Sequence, residues 1–174
     1  QGMPIGRCWF AIPAWMAVNG ASAADVGSVG ALTALPWSLK LVNGCIMDRD
    51  TFLPMGRRRA WILGAQGVMI ASLIVAALIN PQVTDVAVLG ALGFTVNMAT
   101  TFQDVAVDGL AVDIMSEDER ARGSGMMFGG QSIGIATATA ICGFVIEDFG
   151  APAAFLAVAA IIFVLSVYIT SFRE

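Results

Sequence analysis

Four ionisable side chains sit where the surrounding sequence is apolar: Arg7, Lys40, Asp104 and Asp108. An ionisable group inside hydrocarbon costs at least about 2.5–3.5 kcal/mol, so each needs a partner or a task. Two cations and two anions sum to zero, and a balanced set of this kind can pair internally. At about 1.5 Å per helical residue, Lys40 stands about 12 Å from Asp48, Asp104 about 14 Å from Asp113 and Arg7 about 18 Å from Asn19, which puts the charges in one layer. Asp108 follows one turn after Asp104. Asn97, Thr101, Asp104 and Asp108 recur at steps of four, three and four, so they share one helix face, flanked by Thr100 and Gln103. A face this polar in an apolar segment belongs against protein or a water-filled cavity, to which Gln131 and Ser132 can add. It serves either as a solute or proton path or as an ion-pair network that only locks the helices together.

The elements that must position these residues are membrane spans. The chain has 174 residues, of which 57% are hydrophobic and 13% charged, far from the roughly 45–50% apolar and 25% charged of soluble domains. Six apolar stretches approach the about 20 residues that a helix needs to cross a bilayer: 2–18, 24–47, 60–79, 86–114, 123–146 and 151–172. The expectation is an all-α integral membrane six-helix bundle forming one transmembrane domain over residues 1–174. Turn-forming segments separate the spans, among them Asn19-Gly20, Asn80-Pro81 and Gly150-Ala151-Pro152. Because the chain opens on Gln1 without a basic leader, it is expected to be an internal fragment.

Orientation follows from arginine. Arg49, Arg57, Arg58, Arg59, Arg120, Arg122 and Arg173 fall in alternate connections or at the end, and the other connections hold none. The positive-inside rule then puts those connections and both chain ends in the cytoplasm. Net charge −4 argues against a nucleic-acid partner. The absence of His removes the commonest general base and metal ligand. Cys8, Cys45 and Cys142 lie singly in apolar stretches and read as small buried hydrophobes. Gly125, Gly129, Gly130, Gly134 and Ala138 give the fifth span small residues at helical spacing, which predicts close helix packing. Neither a cofactor nor a metal site is expected.

The connection after the second span reads Gly44 … Asp48-Arg49 … Gly56-Arg57-Arg58-Arg59. It resembles the signature loop between helices two and three of the major facilitator superfamily, with Asp50–Met55 inserted between the Asp-Arg and Gly-Arg parts. The longer form is similar to that of the muropeptide permease (AmpG-like) and acetyl-CoA transporter branch. Two more segments look like that branch: Gln103-Asp104-Val-Ala-Val-Asp108-Gly109 and Glu119-Arg120-Ala-Arg122-Gly123. The resemblance implies the N-terminal half of a twelve-helix permease. Its missing C-terminal half would complete a cavity for a polar small solute, carried by alternating access with protons as the coupling ion. The in-span charges and the polar helix face put the path by Arg7, Lys40, Asn97, Thr101, Gln103, Asp104, Asp108 and Gln131, and the resemblance implies that the Gly44–Arg59 loop gates. In a bacterium the site would be the inner membrane.

Two other classes compete. A passive channel or a non-transporting assembly factor can use the same scaffold. A Mg²⁺-dependent prenyl- or phosphotransferase would use Asp104, Asp108 and Asp113, since carboxylates one turn apart suit Mg²⁺. The prenyltransferase needs a second Asp-rich motif, which no other span carries, and the phosphotransferase needs an Ala-Arg pair and further spaced Asp residues, which Val112-Asp113 and the residues after it do not supply. No Walker sequence is present, so ATP coupling is not expected.

Overall fold

The computed structural model describes residues 2–6, 10–49 and 57–171, apart from the side chains of Asp48 and Arg57. Among these residues every regular element is a helix: α1 (Gly2–Gly6), α2 (Ile12–Val18), α3 (Ala23–Ser38), α4 (Lys40–Arg49), α5 (Arg57–Ile79), α6 (Val86–Ile114), α7 (Glu117–Phe149) and α8 (Ala151–Ser171). Hydrocarbon leaves no water for backbone groups, and the helix satisfies them within one segment. Four helices, α5 to α8, are by themselves long and apolar enough to cross a bilayer, and the bent pair α3–α4 makes a fifth.

The expected first span, 2–18, corresponds to α1 and α2, each too short to cross alone, and residues 7–9 lie outside the described residues. The expected second span is divided. α3 starts on a capping box, in which Ser22 accepts from the Asp25 amide at 3.1 Å. Pro36 then removes one amide from its last turn, and the axis bends by 41° before α4 begins at Lys40. The fifth span starts two turns before the expected Gly123. The Glu119 carboxylate accepts from the Ser116 amide at 3.2 Å and its hydroxyl at 2.7 Å, and Glu117, Asp118 and Glu119 suit the positive end of the helix.

α6 is central, packed between α3 and α5; α8 lies against α5 and α7, and α1 lies against α7. The main core gathers Met16, Val29, Met69, Leu73, Leu89, Val96, Phe155 and Val158. A smaller one joins Met47, Ile62 and Ala106, beside the stacked rings of Trp61 and Phe102 (centroids 5.5 Å apart). Large apolar residues of α8, such as Phe163 and Val164, face outward, as lipid contact demands.

The small-residue expectation for α7 holds at one end only. Gly134 and buried Ala138 pack, but Gly125, Gly129 and Gly130 look into open space. The close approach is made instead by Gly2 and Gly6 of α1, two residues with no side chain on one helix face. A Cβ on Gly6 would lie 2.5 Å from the Ile135 carbonyl oxygen and 3.0 Å from its Cα. Gly6→Val should therefore part α1 from α7 and cost on the order of 2–3 kcal/mol, as overpacking does. Gly129→Ala, with nothing to meet, should be neutral or slightly stabilising. Thermal unfolding of the detergent-purified protein checks the pair, and equal midpoints would remove the α1–α7 contact from the account.

Candidate functional site

Lys40 is the first residue of α4, so the break after Ser38 sets the direction in which its side chain leaves the backbone. It points at α6, where Asp104 and Asp108 stand one turn apart. The Lys40 ammonium donates to Asp104 Oδ2 and, at 3.3 Å, to Asp108 Oδ2. The three are not equally wet. The Asp104 side chain is 8% exposed, Lys40 37% and Asp108 51%. One cation thus bridges a buried carboxylate and an open one. Its Nζ also stands 5.9 Å from the Trp37 ring centroid, within cation–π range.

Two cavities meet at this bridge. The first, about 410 Å³, lies between the α3–α4 break, α6 and α7, and is lined by Trp37, Lys40, Asp104, Asp108, Arg120 and Gln131 among others. The second, about 620 Å³, runs between α4 and α6 past Gly44, Cys45, Arg58 and Asp113. Lys40 and Asp108 line both. The pair is therefore a partition between two open volumes, where a change of charge state alters both sides.

Of the expected path residues, Lys40, Asp104, Asp108 and Gln131 come together at the first cavity. Arg7 lies outside the described residues. Asn97, Thr101 and Gln103 are buried and line neither cavity. Asn97 donates to the Thr33 carbonyl at 3.1 Å, and Asn43 donates to the Thr101 hydroxyl at 2.8 Å. The upper part of the polar face is therefore helix-to-helix bonding, which in hydrocarbon holds α6 to α3 and α4. Only its lower end, from Asp104, opens to a cavity.

In the expected gating loop, Gly56 and the side chains of Asp48 and Arg57 lie outside the described residues. Gly44 lines the second cavity and Arg49 is exposed. Arg58 pairs with Asp113 through Nε at 3.3 Å. Its guanidinium lies over Gly109, where a Cβ would come within 2.7 Å of Cζ. Arg59 donates to the Ile169 and Thr170 carbonyls at 3.0 and 2.6 Å, a cation on the negative end of α8. The start of α5 thus ties the ends of α6 and α8 together.

Trp37 and Arg120 are site residues that the sequence did not single out as such. Arg120 was visible inside the Glu119-Arg120-x-x-Gly123 segment, but loop arginines read first as topology anchors. The transferase alternative meets an obstacle here. The Lys40 ammonium occupies the space between the two carboxylates that Mg²⁺ would need.

Among known proteins, the family model described as the Major Facilitator Superfamily matches residues 6–174. The anhydromuropeptide permease of Escherichia coli (strain K12) is 24% identical over 135 residues, 78% of this chain and 27% of the permease. An uncharacterised protein of Haemophilus influenzae is 25% identical over 124 residues, 71% of this chain and 29% of that protein. The chain spans less than a third of the length of these curated relatives. No solved structure matches it.

Proposed function

Since the chain belongs to the Major Facilitator Superfamily, we propose that it is the N-terminal six-span half of a secondary active transporter that couples uptake of a polar small solute to protons. The observation that carries this reading is the Lys40 bridge, one cation held by a buried and an open carboxylate at a partition between two cavities. A proton arriving at Asp108 weakens one arm of the bridge, and loss of that arm frees Lys40 to follow Asp104 alone. That exchange couples proton occupancy to the geometry of both cavities, as alternating access requires. Arg7 is the further cation we assign to this layer. By analogy with the Escherichia coli relative, the solute is of the anhydromuropeptide kind. The arginine distribution supports cytoplasmic chain ends, and a bacterial source would put the protein in the inner membrane.

Vesicles carrying the whole protein that contains this chain test the reading. An imposed pH gradient should drive accumulation of labelled anhydromuropeptide, and a protonophore should abolish it. Accumulation indifferent to the protonophore would overturn proton coupling.

We assign gating to the loop from Gly44 to Arg59, with Asp48, Arg49, Gly56, Arg57, Arg58 and Arg59 as its charged and hinge positions. Arg58→Ala removes the tie to Asp113 while leaving the Lys40 bridge in place. It should lower maximal uptake about tenfold with KM within about twofold, the pattern of a slowed conformational step. Asp48→Lys should do the same, with insertion intact because the loop stays strongly cationic. Full turnover in both variants would reduce the loop to a topology anchor.

A further inference from the structure

Two donors at the first cavity have no acceptor. Trp37 Nε1 and Arg120 Nε are buried from water and find no hydrogen-bond partner among the described residues. Both residues line the 410 Å³ volume that Lys40, Asp104 and Asp108 also face. A buried donor left unmet is destabilising, so a rearrangement that gives it an acceptor is favourable. Arg120 is also loosely held. Among the described residues its side chain makes one hydrogen bond, from Nη2 to the Val112 carbonyl at 3.3 Å, and no ion pair.

Charge on the wall narrows the ligand. Lys40 and Arg120 balance Asp104 and Asp108, so the wall sums to zero while both carboxylates are ionised. Loading one proton leaves it at +1. That surplus favours an anionic guest over a neutral one. A single carboxylate cancels it; a dianionic phosphate overshoots and restores the imbalance with opposite sign. The guanidinium fork also matches a carboxylate in two parallel bonds.

We propose that Arg120 and Trp37 form the acid-reading end of the cavity, where their N–H groups receive a carboxylate of the solute while Lys40 remains with Asp104. The inference rests on the reading of this cavity as the solute path, and it adds a specificity that the bridge alone does not supply. Both donors lie beneath the cavity surface, so a change of side-chain rotamer accompanies binding, as is common at interfaces. The bond from Arg120 to Val112 is given up in the process.

Equilibrium binding to the whole protein at pH 7.5, where a phosphate ester is dianionic, tests this, with N-acetylmuramic acid, N-acetylglucosamine and N-acetylglucosamine 6-phosphate as probes. The first two share a sugar ring and differ by a carboxylate-bearing arm. The acid should bind at least about tenfold tighter than the neutral sugar, the difference expected of a charge-assisted bond. Arg120→Gln should bring the acid to the level of the neutral sugar, whose own affinity stays unchanged. Arg120→Lys should restore part of the loss, and Trp37→Phe, which keeps a ring but no N–H, should lose about threefold for the acid only. Size-exclusion elution and helical circular dichroism certify folding of each variant. Undiminished acid binding in Arg120→Gln, equal losses for acid and neutral sugar, tighter binding of the phosphate, or no acid binding by wild type would each overturn the proposal. Gradient-driven uptake of the anhydromuropeptide by the whole protein tests the transport reading separately. Uptake that persists after the acid-binding result fails would leave that reading standing.

Discussion

Replacing Asp104 by Asn should abolish gradient-driven accumulation altogether, bringing the internal-to-external ratio of solute to one. The amide cannot accept or release a proton, and it leaves Lys40 with Asp108 as its remaining carboxylate in the bridge. Asp108→Asn should abolish accumulation as well, because the carboxylate proposed to take up the proton is then fixed neutral. The two variants should differ in exchange without a gradient. In Asp108→Asn the buried Lys40–Asp104 pair survives, so counterflow should persist in part; in Asp104→Asn it should fall further. Accumulation with and without an imposed pH gradient, and counterflow in the same vesicles, separate these outcomes. Normal accumulation in both variants would make the bridge structural and move coupling to the other half.

Lys40→Ala should be the most destabilising single change in the site. It strands Asp104, whose side chain is 8% exposed, without its cation. Removing one partner of a fully buried pair costs about 3–5 kcal/mol; with Lys40 itself 37% exposed, the expected loss is on the order of 2 kcal/mol. The partner variants give the sharper measurement. Lys40→Ala with Asp104→Asn should recover most of the loss, because the buried charge is gone. Lys40→Ala with Asp108→Asn should recover little, since Asp108 is half-exposed and solvated already. Unfolding midpoints in one detergent, set out as two double-mutant cycles, report the two coupling energies. Equal recovery in the two doubles would contradict the assignment of Asp104 as the buried arm.

Residue periodicity made part of this site legible. The spacing of Asp104 and Asp108 put them on one face, and the cost of an isolated charge in lipid demanded that Lys40 meet them; the bridge is that meeting. The same spacing could not separate Asn97 and Thr101 from the cavity, because a helix face is continuous in sequence whereas its partners change along its length. The partner changes from α3 to α4 at a bend that the expected single span 24–47 did not contain; Pro36 sets it, but its angle and its end at Leu39 depend on the neighbouring helices. The glycines of α7 were visible, but not which of them would meet a neighbour. That depends on α1, whose two glycines are too few for a pattern. Arg120 was hidden by its type, since a loop arginine satisfies the topology rule before any other reading is needed.

The contact between α1 and α7 has a consequence for biosynthesis. The Thr139 hydroxyl donates to the Gly6 carbonyl at 3.3 Å across 133 residues of sequence. A ribosome adding about 5–20 residues per second takes roughly 7–27 s to cover that interval, and α1 spends it without its native neighbour. Lys40, Asp104 and Asp108 all precede Glu117 in the chain, so the residues of the ion bridge are synthesised before the helix that completes their cavity. Docking of α7 then supplies Arg120 and Gln131 to that wall and covers Gly2 and Gly6 in the same event. The first helix of the chain thus waits until most of the chain has been made before its two glycines are covered.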